Sequence, residues 1–273
     1  MAKTFIIAEA ANTWRIGTKS ARHIEYAKKC IGIASRAGAD AVKFQWTSDT
    51  RLMEKRRKVP EGTYTMLAWP QAWLGVFAAE CEKLGIEFMV SCYLAKDVLT
   101  VAPFVRRFKI ASLEASDLEL FDACEYHRKP IIVSCGAMEY DELDAMVSSV
   151  GSCDVPVSML HCVASYPTPI NEMNLGVFRS RHGSPFTGLS GLSDHSGDEL
   201  TGALAVACGA DIIEVHFRLD ETRKDNSDFA HSHDPWGLQQ YITAIRKAEL
   251  MLGDGVKRVQ PSEEPILKHR VRS

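Results

Sequence analysis

The sequence predicts one domain of the α/β class, a (β/α)8 TIM barrel, and three observations carry that reading. Eight short apolar or β-branched runs alternate with longer stretches whose apolar residues recur at i, i+3 and i+4, the pattern of parallel strands joined by helical crossovers. The 273 residues suit an eightfold barrel of about 250 residues. An open doubly wound sheet would also fit the alternation, but no G-x-G-x-x-G follows the first strand and no G-x-x-x-x-G-K-S/T occurs anywhere.

Taken in order, strand one is expected over residues 4–9 and its helix over 21–37. Gly38 then stands where a left-handed helix cap is needed before strand two, 41–46, and Gly85 and Gly209 hold the same place before strands three and eight. Residues 47–64 are charged, contain Pro60 and Gly62, and are too many for an ordinary strand-to-helix connection. They are expected to form an active-site loop or lid, with Lys55, Arg56, Arg57 and Lys58 as a solvated stretch. A helix over 71–84 leads to strand three at 87–92, and strand four follows at 108–112. Helices over 118–127 and 140–150 flank strand five, 130–135, and strand six spans 157–163. Strand seven at 187–193, a helix over 199–208, strand eight at 211–217 and a helix over 238–252 complete the cycle. Residues 1–260 make the barrel, and 261–273 read as a polar, frayed tail.

Composition narrows the function. Lys and Arg number 32 against 35 Asp and Glu, so there is no basic excess for phosphate backbones and no nucleic-acid partner is expected. No apolar run approaches the ~20 residues of a membrane span, and the N-terminus enters strand-like sequence without a signal-peptide core, which points to the cytoplasm. The eight cysteines are scattered without a C-x-x-C pair and read as buried thiols.

In such a barrel the C-terminal strand ends form the active face. Here they are densely polar: Glu9; Lys43 and Gln45; Ser91; Lys109, Ser112 and Glu114; Ser134; His161 with Tyr166 beyond it; Ser193 and His195; Glu214 and His216. Ammonium and hydroxyl donors together satisfy the oxygens of a small dianion, so two lysines among serines imply a phosphate or carboxylate ligand. His195 and His216 end adjacent strands and form a metal-type pair suited to Mn²⁺, Fe²⁺, Co²⁺ or Zn²⁺. His161 lies deeper and reads as a hydrogen-bonded core histidine, while His231 and His233 fit exposed loop positions equally well. Trp14, Trp46 and Trp69 read as packing residues.

A run of motifs then appears in order: Ala39-Asp40-Ala41-Val42-Lys43-Phe44-Gln45, Lys109-Ile110-Ala111-Ser112, Leu160-His161-Cys162, Tyr166-Pro167-Thr168-Pro169, Gly191-Leu192-Ser193-Asp194-His195 and Glu214-Val215-His216-Phe217. Across nearly its whole length the chain resembles the catalytic barrel of the sialic acid (N-acetylneuraminate) synthase family, with its legionaminate, pseudaminate and spore-coat polysaccharide synthases. The resemblance implies condensation of phosphoenolpyruvate with the aldehyde of an N-acylated hexosamine such as N-acetylmannosamine, giving a 2-keto acid sugar and phosphate. It implies that Lys43, Ser91, Lys109, Ser112, Ser134 and Ser193 hold phosphoenolpyruvate, that His195 and His216 hold Mn²⁺ or Mg²⁺, and that Glu9 handles protons near the reacting carbons. Gln45, Glu114, Tyr166 and Asp228 would face the sugar, and a homodimer is expected.

Three departures stand out. The first loop, Asn12-Thr13-Trp14-Arg15-Ile16-Gly17, is one residue longer than the family's and lacks its histidine; Ala164 replaces an asparagine that contacts phosphoenolpyruvate; and residues 261–273 stand where members continue into an antifreeze-like (SAF) domain. Two other classes remain open on the residues alone: a metal-dependent aldolase or isomerase on the same barrel, and a non-catalytic barrel subunit.

Overall fold

The computed structural model describes residues 3–17, 20–150, 153–179 and 189–271. Eight parallel strands close into a barrel in chain order: β1 (Phe5–Ala11), β2 (Ala41–Gln45), β3 (Glu87–Cys92), β4 (Phe108–Ile110), β5 (Ile131–Ser134), β6 (Val157–Cys162), β7 (Leu189–Asp194) and β8 (Ile212–His216). Outside them lie α1 (Ser20–Ala37), α2 (Thr50–Arg57), α3 (Trp73–Lys83), α4 (Ala95–Val101), α5 (Leu118–Tyr126), α6 (Tyr140–Val150), α7 (Thr201–Cys208) and α8 (Pro235–Leu252). The eightfold architecture is the one the alternation predicts, and Gly38, Gly85 and Gly209 take the positive φ expected of caps.

Strand alternation sorts the side chains into two shells. Outward-facing Ile6, Ala8, Val42, Phe44, Val90, Val133, Leu192, Ile213 and Val215 are buried beneath the helices in the main apolar core. Inward-facing Ile7, Ala41, Met89, Ile132, Leu160 and Ile212 form a separate apolar cluster that plugs the barrel floor. Two residues further along the same strands the inward positions become Glu9, Lys43, Ser91, Ser134 and Glu214, all buried. Trp14, Phe44, Trp69, Trp73 and Phe77 pack ring against ring on the outside of β2, with Trp14 centred 5.8 Å from Phe44 and 5.9 Å from Trp69. The Trp46 indole donates to the Trp69 carbonyl at 2.9 Å, so all three expected packing tryptophans do pack.

Several boundaries differ from expectation for local reasons. β1 runs on to Ala11 through an irregularity in its pairing with β2 after Glu9. β4 ends at Ile110, and Ser112–Glu114 then forms a 3₁₀ turn. The expected start of strand seven at Thr187 lies outside the described residues. The segment 47–64 is largely structured: Asp49 caps α2 by accepting from the Leu52 N–H at 3.0 Å, and basic side chains crowd the negative end of that helix. The tail is not frayed throughout, since Pro261–His269 forms an exposed 3₁₀ helix. All eight cysteines are free and most are buried. Among the described residues no helix is long and apolar enough to cross a membrane.

Candidate active site

A cavity of about 300 Å³ opens at the C-terminal ends of the strands. Its wall includes Lys43, Gln45, Ser91, Lys109, Ser112, Ser134, Tyr166, Ser193, His195, His216 and Asp228. Residues drawn from distant parts of the sequence therefore share one chamber, because parallel strands deliver all their C-terminal ends to the same face. Glu9 sits fully buried beneath this chamber, and Glu114 lines an adjoining recess of about 440 Å³.

Four buried charges form the chamber floor. Lys43 pairs with the Glu9 carboxylate, lies 3.7 Å from Glu214 and donates to the Ser91 hydroxyl at 2.8 Å. Lys109 donates to the Ser134 hydroxyl at 2.7 Å and to the Ile110 carbonyl at 2.8 Å, while Ser193 donates to Glu214 at 3.1 Å. Burial works against the Lys43 ammonium, but Glu214 and Glu9 outweigh it and hold the amine above its usual range. Burial pushes the Glu9 carboxyl up to about 7, assisted by Glu214 and opposed by Lys43. Burial would also raise Glu214, yet Lys109, Lys43 and His195 pull it below the ordinary carboxylate value. Lys109 is lowered by burial, with Glu214 opposing. One carboxylate thus stays ionised between two lysines while the other sits near neutrality, able to hold or release a proton at physiological pH. Glu214 was not singled out for a role from the sequence; its place between two lysines emerges only when β8 closes against β1.

Beside this floor stands an imidazole cluster. The His195 and His216 rings lie 5.0 Å apart, centroid to centroid, and His231 lies 4.7 Å from His216 and 5.8 Å from His195. The Tyr166 ring packs edge-on against His195 at 4.4 Å and His231 at 5.2 Å. Ligand atoms of His216, Asp228 and His231 all fall within 4.8 Å of one another, a spacing able to hold a metal ion. His216 Nδ1 and both nitrogens of His231 are buried without a hydrogen-bond partner. Burial, reinforced by neighbouring histidines, holds His195 down to about 3 and His216 well below its usual value, and burial alone brings His231 to about 4. All three are therefore held as neutral imidazoles, the form that binds metals. His231, for which an exposed loop position was equally open, is buried, and Asp228, expected to face the sugar, lines the chamber and also stands among the histidines.

Two other histidines of the described residues have structural places. His161 Nε2 meets the Met173 carbonyl at 2.9 Å, in keeping with a core role. His233 is also buried, 5.0 Å from the Tyr241 ring, and not on an exposed loop.

Arg57 departs from expectation. Its guanidinium forms a two-pronged pair with Glu114, at 2.8 and 2.7 Å, and lies over the Tyr64 and Tyr93 rings at 4.8 and 5.2 Å. The basic run is thus not wholly solvated: Arg57 turns inward and lines the chamber. Glu54, buried on α2, accepts from the Gly62 and Tyr64 N–H groups and fixes the return of this loop over the barrel. Burial raises the Glu114 carboxyl, against the pull of Arg57. Helical spacing in 50–57 was the available signal, since Met53, Glu54 and Arg57 fall on one face four and three residues apart.

The model of the NeuB family matches residues 30–257. The chain is 33% identical over 291 residues to the pseudaminic acid synthase of Campylobacter jejuni subsp. jejuni serotype O:2, covering 98% of this chain and 80% of that one. It is 30% identical over 281 residues to the N,N'-diacetyllegionaminic acid synthase of Legionella pneumophila, covering 96% and 77%. The crystal structure of N-acetylneuraminic acid (sialic acid) synthetase from Leptospira borgpetersenii, in complex with citrate, superposes with a TM-score of 0.84 at 27% identity over 98% of this chain and 92% of that one.

Proposed function

The chain belongs to the NeuB family, and from that premise we propose that it condenses phosphoenolpyruvate with an aldehyde sugar, an N-acylated hexosamine such as N-acetylmannosamine or a related acceptor, to give a 2-keto acid sugar and phosphate. The observation that carries the reading is the chamber floor, where Lys43 and Lys109 stand among Ser91, Ser112, Ser134 and Ser193 at the closed end of a cavity. A phosphate and a carboxylate entering a low-dielectric site need such cations and hydroxyls to replace their water.

Lys109 and Ser134 would take phosphate oxygens, and Lys43 and Ser91 the carboxylate side. Glu9, with its carboxyl near neutrality, would hold a proton or orient the water that adds to C2 once the C3 carbon has bonded to the aldehyde carbon; phosphate then leaves. His195 and His216, which fit a metal by their neutral rings and by the unpartnered His216 Nδ1, would hold the family's Mn²⁺ or Mg²⁺, which when bound polarises the aldehyde oxygen. Gln45, Glu114, Tyr166 and Asp228 would face the acceptor, with Arg57 fixing Glu114. We place the reaction in the cytoplasm and expect a homodimer.

The test is phosphate release from phosphoenolpyruvate with Mn²⁺ and a panel of aldehydes, from N-acetylmannosamine to unacylated hexoses and pentoses, with mass analysis. Release dependent on one acceptor, with a product heavier by the pyruvate unit, is expected. Phosphate retained with every aldehyde while the protein is folded and metal-loaded would sink the reading.

A further inference from the structure

We propose that His231 is a metal ligand, and that with His195, His216 and Asp228 it makes this mouth a nitrogen-rich site that selects a first-row transition cation over Mg²⁺. The inference deepens the metal-dependent reading above and rests on it only for the use of the ion in turnover.

Both ring nitrogens of His231 are buried without a partner, although the residue is only 1% exposed. Two histidines that serve packing do otherwise: His161 meets the Met173 carbonyl at 2.9 Å and His23 meets the Gly17 carbonyl at 3.0 Å, while buried His233 leaves its Nε2 unpartnered but not both ring nitrogens. A buried imidazole normally finds at least one partner, so His231 is missing one. Asp228 Oδ1 lies 3.8 Å from His231 Nε2, too far for a hydrogen bond and suited to two ligands on one ion.

Ring spacing agrees for the two pairs that include His216. With metal–nitrogen bonds of about 2.0–2.1 Å, two imidazole centroids sharing an ion stand about 4.5–5.5 Å apart for ordinary ligand angles. His195 and His231 stand 5.0 and 4.7 Å from His216, inside that range, while His195 and His231 stand 5.8 Å from each other, just beyond it and in keeping with the widest ligand angle of the three. His195 Nδ1 is engaged by Cys162 Sγ at 3.6 Å, which leaves Nε2 as its ligating atom.

The backbone also holds His231 in place. Gly197, at φ +69, brings the loop after β7 against the loop after β8, and a Cβ there would stand 3.3 Å from His231 Cα. Three imidazoles and one carboxylate suit Mn²⁺, Fe²⁺, Co²⁺ or Zn²⁺, whereas Mg²⁺ prefers oxygen ligands and keeps its water.

The test uses chelator-stripped protein titrated with Co²⁺ and no substrate, read by visible d–d absorption and by metal analysis. One Co²⁺ per chain is expected, not displaced by Mg²⁺ in about hundredfold excess. His231→Phe, which keeps bulk but removes both nitrogens, is expected to weaken Co²⁺ binding by about tenfold or more and to change the band pattern. Gly197→Ala, which removes no ligand but presses on the backbone at His231, is expected to weaken binding less. Unchanged affinity and spectrum in His231→Phe, with circular dichroism showing the native fold, would overturn the proposal, as would ready displacement of Co²⁺ by Mg²⁺. Because no turnover is read, Co²⁺ held through His231 by a chain that releases no phosphate supports this inference and defeats only the synthase reading.

Discussion

Two rings of side chains inside the same barrel make opposite use of the same geometry. The floor ring, Ile7, Ala41, Met89, Ile132, Leu160 and Ile212, is apolar and buried. The ring two residues above it, about 6.6 Å along each strand, holds Glu9, Lys43, Ser91, Ser134 and Glu214, with Lys109 beside them. The floor is stabilised by removing apolar surface from water, and it sets the strand register: Ile7 stands opposite Ala41, and Glu9 opposite Lys43 one step higher. The upper ring has no such support, since each buried charge is tolerated only through its partners. A register fixed by the lower ring lets the upper ring carry charges chosen for chemistry.

The comparison can be broken or sharpened by experiment, and the largest effect is expected at Lys43. Lys43→Met leaves Glu9 and Glu214 buried without their shared cation, which should cost about 3–5 kcal/mol in urea denaturation and abolish turnover. A loss below about 0.5 kcal/mol would mean that the upper ring is not held by charge pairing. In the floor, Leu160→Ala should lower stability by about 2–5 kcal/mol while leaving kcat within a factor of about two at temperatures where the variant stays folded. A large drop in kcat with the fold intact would show that the rings are not separable.

A third test uses pH. Glu9 is raised from 4.5 to about 7, so the folded chain binds its proton more tightly; that contribution is fully present below about pH 4.5 and is lost as pH rises through about 7. His195 and His231 act in the opposite direction: their depressed values contribute stability that is present above about pH 6.5 and lost as pH falls through about 3 to 4. In metal-free protein, Glu9→Gln should remove only the first contribution, so that stability rises with pH more steeply than in the wild type between pH 4.5 and 7, by at most about 1.4 kcal/mol per unit. Parallel pH profiles for the two proteins would show that Glu9 is not the group titrating there. The smallest effect is expected at Arg57→Lys, which keeps the charge but loses the two-pronged grip on Glu114: KM for the acceptor should rise several-fold with little change in KM for phosphoenolpyruvate. Equal effects on both would move Arg57 to the anion side.

The parts that were legible in the sequence are those in which local pattern and global position coincide. A parallel strand carries its period-two alternation and its direction within five or six residues, so Glu9, Lys43, Ser91, Lys109, Ser134, Ser193 and His216 could be assigned to the barrel mouth before any contact was known. Arg57 was misread because a basic run in a long connection looks solvated, and only the fold of that connection, anchored by Glu54, turns one of its four cations inward. His231 lies fifteen residues beyond His216, and nothing in that spacing specifies its path. The loop is carried back over the mouth by contacts such as Asn226 Nδ2 to Asn12 Oδ1 at 2.8 Å, between residues 214 positions apart.

The sequence by itself therefore determined the eightfold alternation, the apolar floor and the polar strand ends, because each follows from neighbours a few residues apart. Tertiary structure alone decided which buried charges pair, which arginine faces the chamber and which histidines surround one point in space. Those properties depend on distances between side chains far apart in the chain and on their removal from water, and both exist only once the barrel has closed.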